Sequence, residues 1–560
     1  MHRFMLVLLL LCLATAARGE FNVVDASIAD MQRAMARGEV TSRELVRQYL
    51  VRIGLYEKKL NGVIAVNPNV LREAEERDRE RAQGILRGPL HGIPIALKDN
   101  IQTTDMPTTG GALAFEAFVP PYEATLVKNL RDAGAVIIAK TGMTELANWV
   151  AGAPTPMPSG YNAITGFGFN PYDPRRDPRY APFDGRPVLP PGGSSSGIGT
   201  AANFWAANIG TETSGSLLSP ANMTMLVTIK PTVGRISRHG IIPITADQDT
   251  AGPMTRTVAD AAILLGVLES AQPDPQDPLK PCTAPANRDY TAFLNSDALR
   301  GARIGIPRAF FYEAVTPPGS EFAQGGLSAA KAEAMAEAIA LLQKRGAVIV
   351  DPADIPSVID DDLSGNFLRW EVCRGTDGAK GRDAGCSIVL KYGMKRDFNK
   401  WLASLGPDAP VKSLTELRLW NLAHARAGAL RYGQSELDIS DEMDVEGDRA
   451  RYEIDRAKDI ALSATHGIDE IMMKEKLDAL LFPGVSGAAL SARAGYPTVM
   501  VPFALIPNAS FPPLPEDFDA KPSPFGVSFS GTACSEPRLI ALAYAFEQAT
   551  RRRVPPAAVP

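Results

Sequence analysis

The sequence predicts an α/β fold, and three observations predict it. Residues 124–143 (ATLVKNLRDAGAVIIAKTGM) read as helix, glycine turn and strand. The same order returns at 332–353 (AEAMAEAIALLQKRGAVIVDPA) and, shortened, at 476–484 (KLDALLFPG). Short apolar runs at 92–100 (GIPIALKDN) and 303–308 (RIGIPR) supply further strands. Helices alternating with strands argue for layers of helix on sheet.

The first 19 residues stand apart. Arg3, an apolar run from Phe4 to Leu13 and then small residues form the pattern of a secretory signal peptide. Ala14-Thr15-Ala16 fits the cleavage rule, with Ala17-Arg18-Gly19 as a looser second site. The run is shorter than the roughly 20 residues of a membrane span, so an uncleaved anchor is the weaker reading. Residues 1–19 are assigned to the signal and 20–560 to the mature protein, expected in the periplasm or medium with no stable membrane insertion. An oxidising compartment permits disulfides. Cys373 and Cys386 flank a polar, glycine-rich stretch and are expected to close a small ring; four free buried thiols are the alternative. The sequence does not fix whether Cys282 pairs with Cys534.

Residues 27–60 predict helices. Leu45, Tyr49 and Ile53 recur on one apolar face, and Thr41 with Glu44 makes a capping box. Residues 70–86 predict a highly charged, solvated helix. Residues 151–191, rich in proline, glycine and tyrosine, break the alternation as one long loop. Such loops in compact proteins are functional or disordered, and its aromatics favour a packed one. Residues 271–296 and 506–523 read as surface connections.

The bulk composition excludes several functions. The 560 residues are 45% hydrophobic and 22% charged, with a net charge of −5. That balance gives no electrostatic case for nucleic acid. Five histidines, no His-Glu-x-x-His and no Cys-x-x-Cys argue against a metal site. No Gly-x-x-x-x-Gly-Lys-Ser/Thr loop is present to cradle phosphate. Gly193-Ser194-Ser195-Ser196-Gly197 matches the Gly-x-Ser-x-Gly nucleophile elbow, but that motif must follow a strand. Here it follows Arg-Pro-Val-Leu-Pro-Pro, which no central strand accommodates.

Three other segments combine. GPLHGIPIALKDNI supplies Lys98, PGGSSSG supplies Ser194, and GTETSGSLLSPAN supplies Ser216. Alone, each reads as a strand end, a turn and a helix cap. In this order they resemble the amidase signature hydrolases, which carry Gly-[Ile/Val]-Pro-x-x-x-Lys-Asp, Gly-Gly-Ser-Ser and Gly-Thr-[Asp/Glu]-x-x-Gly-Ser. Residues 230–269, 495–502 and 524–550 resemble the family too, so the likeness spans about 23–550, in the branch of peptide and general amidases.

The resemblance implies one three-layer α/β/α domain with a mixed central sheet, no cofactor, and hydrolysis of a small-molecule or peptide amide by a monomer or homodimer. C-terminal peptide amides, aryl amides and fatty acyl amides are the candidate substrates. It implies Ser216 as nucleophile, Ser194 as a bridging proton carrier after a cis peptide bond, and Lys98 as the ultimate base. Ser195 supports Lys98. The backbone N–H groups of Thr213, Ser214 and Gly215 form the oxyanion hole. Ser219-Pro220 is expected to open a helix whose dipole adds positive charge near the site. Tyr161, Phe167, Phe169 and Tyr172 are candidates for an apolar pocket lining contributed by the 151–191 loop. The sequence departs from the family in three places. The 22-residue step from Ser194 to Ser216 is shortened, Glu212 stands where many members have Asp, and Leu218 replaces the usual arginine. A glutaminase component of an aminoacyl-tRNA amidotransferase and a non-catalytic binding protein are the rival readings.

Overall fold

The computed structural model describes residues 21–193, 197–374, 378–379 and 381–560. The signal-peptide assignment at 1–19 therefore lies outside the described residues.

Eleven strands build the central sheet: β1 Val63–Val66, β2 Pro94–Lys98, β3 Val136–Thr141, β4 Ala207–Glu212, β5 Val227–Lys230, β6 Thr250–Thr255, β7 Arg303–Gly305, β8 Val348–Val350, β9 Ala479–Pro483, β10 Thr498–Ile506 and β11 Ser523–Ser530. Their order is β1-β3-β2-β4-β6-β5-β10-β11-β9-β7-β8. The sheet is mixed. β3, β2 and β4 run parallel, β4 meets β6 antiparallel, and β9, β7 and β8 run parallel. Helices cover both faces, giving the three-layer α/β/α architecture. Strand alternation shows the layers directly. Val499 and Val501 of β10 join the main core, to which Leu265 and Phe546 of two helices contribute. Met500, between them, packs with Leu217, Leu218, Ala221 and Met254.

The local signals do what their chemistry requires. Thr41 and Glu44 cap the helix Ser42–Leu60 reciprocally, and its Leu45, Tyr49 and Ile53 are buried. Every residue of β2 and β3 is buried, as expected of strands covered on both faces. The main core draws residues from Val23 to Val559.

The 151–191 loop is packed. Tyr161 and Phe167 are buried in a second core with Trp149, Phe398, Trp401 and Leu437. The Tyr161 ring meets Phe167 at 5.2 Å and Tyr432 at 5.0 Å between centroids. Arg176 lies over Phe169, and the Tyr172 hydroxyl donates to the Val554 carbonyl. These contacts make the four aromatics structural ties of the loop.

Cys373 pairs with Cys386, and Cys282 with Cys534 across 252 residues of sequence. Closing so long a loop removes unfolded-state entropy, worth about 2–4 kcal/mol. Replacing Cys282 and Cys534 with serine is expected to cost stability of that order. Denaturant unfolding of the double variant against the oxidised parent measures it, and an unchanged midpoint counts against the crosslink.

Candidate active site

Lys98 ends β2, and the register of β2 against β4 pairs Leu97 with Ile209. That pairing sets the lysine beside the end of β4, wholly buried. Its Nζ donates to Thr211 Oγ1 at 2.7 Å and to the Thr211 carbonyl at 3.2 Å. Asn100 Nδ2 donates to the same hydroxyl at 3.0 Å. Both lone pairs of Thr211 Oγ1 are thus taken. A neutral amine has two hydrogens and one lone pair; with both hydrogens placed on Thr211, the lone pair has no donor among the described residues. Burial pushes the amine down to about 7, while the carboxylates of Asp249 and Glu212 pull the other way. Burial wins.

The turn after β4 is held from both sides. Thr213 Oγ1 donates to Asp249, whose second oxygen accepts from the N–H groups of Ile244 and Thr245 at 2.9 and 3.0 Å. Gln248 Nε2 donates to the Thr213 carbonyl at 3.1 Å. Burial raises the Asp249 carboxyl to about 7. Gly215 takes φ +88°, which glycine adopts without cost. Among the described residues, a Cβ there would meet only Ala488, at 3.6 Å, an ordinary contact. Among the described residues, the N–H groups of Thr213 to Ser216 have no hydrogen-bond acceptor. Ser214 is exposed and Ser216 half-buried. The turn therefore presents free donors next to a serine hydroxyl, the arrangement an oxyanion needs.

The start of the following helix corrects one expectation. It runs from Leu218 to Met223, with Leu217 rather than Ser219 at the cap. Glu212 Oε2 accepts from the N–H groups of Leu217 and Leu218 at 2.7 and 3.0 Å. A carboxylate from the strand end thus takes the donors that a capping serine would serve. It also neutralises the helix terminus, so the six-residue helix contributes little positive field at Ser216. With Leu218 in the arginine's place, Glu212 forms no salt bridge among the described residues and holds backbone instead. Ser219 is turned away, its Oγ accepting from Gly193 N at 3.0 Å.

That bond seats the glycine turn against the turn at Ser216. A Cβ on Gly193 would lie 3.2 Å from the Ser216 Cα, and one on Gly192 2.5 Å from the Pro220 Cα. The assigned Ser194 and Ser195, and the expected cis bond before Ser194, lie outside the described residues. Lys98, Thr213, Ser214, Gly215 and Ser216 fall in one region, joined by the Thr211–Glu212 strand end.

A cleft of about 190 Å³ opens beside this region, walled by Asn100, Thr211, Thr213, Ile242, Asp249 and Trp401 among others. Lys98, Ser214, Gly215 and Ser216 are not on its wall, and neither are Tyr161, Phe167, Phe169 and Tyr172. Tyr161 and Phe167 pack on each other inside the second core, Phe169 packs against it, and the Tyr172 hydroxyl is tied to Val554. Thr211, Asn100, Gln248 and Asp249 were not singled out from sequence. Thr211 shares the Gly-Thr-Glu-Thr stretch and was within reach of strand alternation. No composition cue marks the other three. Among the described residues no cluster of potential metal ligands occurs, and no helix is long and apolar enough to cross a membrane.

Comparison with known proteins agrees with this geometry. The sequence profile of the family described as Amidase matches residues 44–540. The chain is 32% identical over 549 residues to a probable amidase of Arabidopsis thaliana, covering 96% of this chain and 92% of the relative. It is 31% identical over 542 residues to a glutamyl-tRNA(Gln) amidotransferase component of Microcystis aeruginosa, covering 94% and 97%. Among solved structures, native peptide amidase from Stenotrophomonas maltophilia matches with TM-score 0.78 and 36% identity, over 95% of this chain and 98% of that one. The chain belongs to the amidase signature family and is an amide-hydrolysing enzyme.

Proposed function

We propose that this amidase is exported and works through Ser216, Ser194 and Lys98, with C-terminal peptide amides as its substrates. The observation that carries the mechanism is the Lys98 amine, buried without exposure and held, among the described residues, by Thr211. Ser216 Oγ attacks the amide carbon; its proton passes to Ser194 as the proton of Ser194 passes to Lys98. The N–H groups of Thr213, Ser214 and Gly215 receive the oxyanion. As the C–N bond breaks, the relay returns a proton to the leaving nitrogen. Water then enters as the second nucleophile, the Oγ–C bond breaks, and carboxylate leaves.

Export is supported by the signal pattern at 1–19 and by two disulfides, which persist in oxidising compartments. The peptide-amide reading is supported by the 36% identity with a peptide amidase. The purified mature protein, given amidated peptides, aryl amides and fatty acyl amides, is expected to release ammonia and free carboxylate fastest from the peptides. Faster turnover of either other class overturns the substrate assignment. Hydrolysis of glutamine alone, and only with co-purifying partners, would install the amidotransferase reading that the 31% identity to the Microcystis protein favours.

A further inference from the structure

The cleft beside the turn has a rigid, largely aromatic wall. Trp401 and Tyr122 both line it. The Trp401 ring is buried and held by Phe115 and Phe398, at 5.5 and 5.2 Å between centroids. Tyr122 stacks on His239 at 4.8 Å and 8° from parallel, and its hydroxyl pairs with Ser404 Oγ at 2.5 Å. Ile242, Pro243 and Ile244 add aliphatic surface. Side chains already locked by their neighbours lose little freedom when a ligand arrives, so a wall of this kind favours binding. Volume sets the size of the occupant. An apolar cavity of about 150 Å³ takes one benzene, and this cleft holds about 190 Å³. It has room for one aromatic ring and none for a long acyl chain.

Charge narrows the choice further. Two carboxylates of the wall are paired, Asp277 with Arg238 and Asp397 with Arg396, each through Nε at 2.8 Å. Asp249 has both oxygens taken by Thr213, Ile244 and Thr245. Lys400, also on the wall, is exposed and makes no ion pair among the described residues. A cationic side chain entering the cleft would meet that lysine and no free carboxylate. Thr213 ties the cleft to the chemistry: it lines the wall, and its N–H is one of the free donors of the Ser216 turn. Three residues of chain span at most about 11 Å. An acyl carbon on Ser216 and a side chain lodged in the cleft can therefore belong to one residue. We propose that the cleft is the side-chain subsite for the residue that carries the scissile amide, and that it selects phenylalanine or tyrosine over small and basic side chains. The inference rests on the peptide-amide reading and names which peptide amides are meant.

Acetylated dipeptide amides that differ only in the last residue test this. Wild-type kcat/KM for the phenylalanine amide should exceed that for the alanine amide by on the order of 10²-fold, since each buried methylene is worth about tenfold or more. The lysine amide should do no better than the alanine amide. Ala246→Trp adds bulk at an exposed position of the wall, where the fold should tolerate it. It is expected to lower kcat/KM for the phenylalanine amide by roughly 10-fold and for the alanine amide by less. Lys400→Glu should raise the lysine amide relative to the phenylalanine amide by roughly 2- to 5-fold, the scale of an exposed ion pair, and it decides the matter where Ala246→Trp fails to fold. Equal turnover of the phenylalanine and alanine amides overturns the subsite. So does an aromatic preference that Ala246→Trp, or Lys400→Glu where that variant decides, leaves unchanged. If aryl or fatty acyl amides are hydrolysed and no peptide amide is, the peptide-amide reading falls and the subsite with it. If all the peptide amides turn over alike, only the subsite falls.

Discussion

Ser216→Ala is expected to lower kcat for amide hydrolysis by on the order of 10⁶-fold, the scale on which removing a serine nucleophile acts. The reason is chemical. Without Oγ no acyl-enzyme forms, and the remaining oxyanion donors and bound substrate speed only direct attack by water. The fold should be indifferent. Ser216 is half-buried, and among the described residues its hydroxyl makes no hydrogen bond that folding would miss. Its backbone conformation suits alanine, because the left-handed position in this turn belongs to Gly215. A fluorophosphonate probe gives a second readout. The wild type should be labelled at Ser216 and the variant left unlabelled, with Tm unchanged. A label landing among Ser194 to Ser196, or turnover within about tenfold of wild type, would remove Ser216 from the role given to it.

Much of this was legible in the sequence because the signals are local. A capping box needs four consecutive residues, so Thr41 and Glu44 marked a helix start that the structure reproduces. The helix, glycine turn and strand at 124–143 lie within one short stretch, and they form as Thr125–Asp132 and Val136–Thr141. The Lys98 and Ser216 segments, which the structure brings into one region, were legible for a different reason: each is a contiguous motif. What was hidden depends on strand pairing. Asp249 reaches Thr213 because β6 folds back antiparallel on β4, setting Thr250 opposite Glu212. Thr144 reaches Gly193 across 49 positions, and Cys282 reaches Cys534 across 252. Nothing near those residues announces the partner. The helix after Ser216 was misplaced for a related reason. Ser219-Pro220 has the local look of a cap, but Glu212 supplies the capping oxygen from the end of β4. Tyr161 and Phe167 were misassigned because an aromatic beside a motif suggests a pocket, and the sequence gives no sign that a second core lies underneath.

Lys98→Met is the other large effect. Methionine fills nearly the same volume but has no proton to carry, so kcat/KM should fall by on the order of 10³- to 10⁴-fold, the upper range for a general base. The pH dependence tests the same claim from the other side. The amine works as a base only when neutral, and burial holds it at about 7 against an ordinary lysine near 10.4. Wild-type kcat/KM should therefore rise with pH, with its midpoint near 7. At two units below the midpoint only about one amine in a hundred is neutral, so activity should be down roughly 100-fold there. Asp249 titrates in the same window and lies in the same field, so the observed midpoint belongs to the pair. Asp249→Asn removes the carboxylate that favours the ammonium and should move the limb to lower pH. Any residual activity of Lys98→Met should lack the limb. A wild-type profile flat from pH 5 to 9, or Lys98→Met turning over within tenfold of wild type, would show that the buried amine holds the strand end and takes no part in moving the proton.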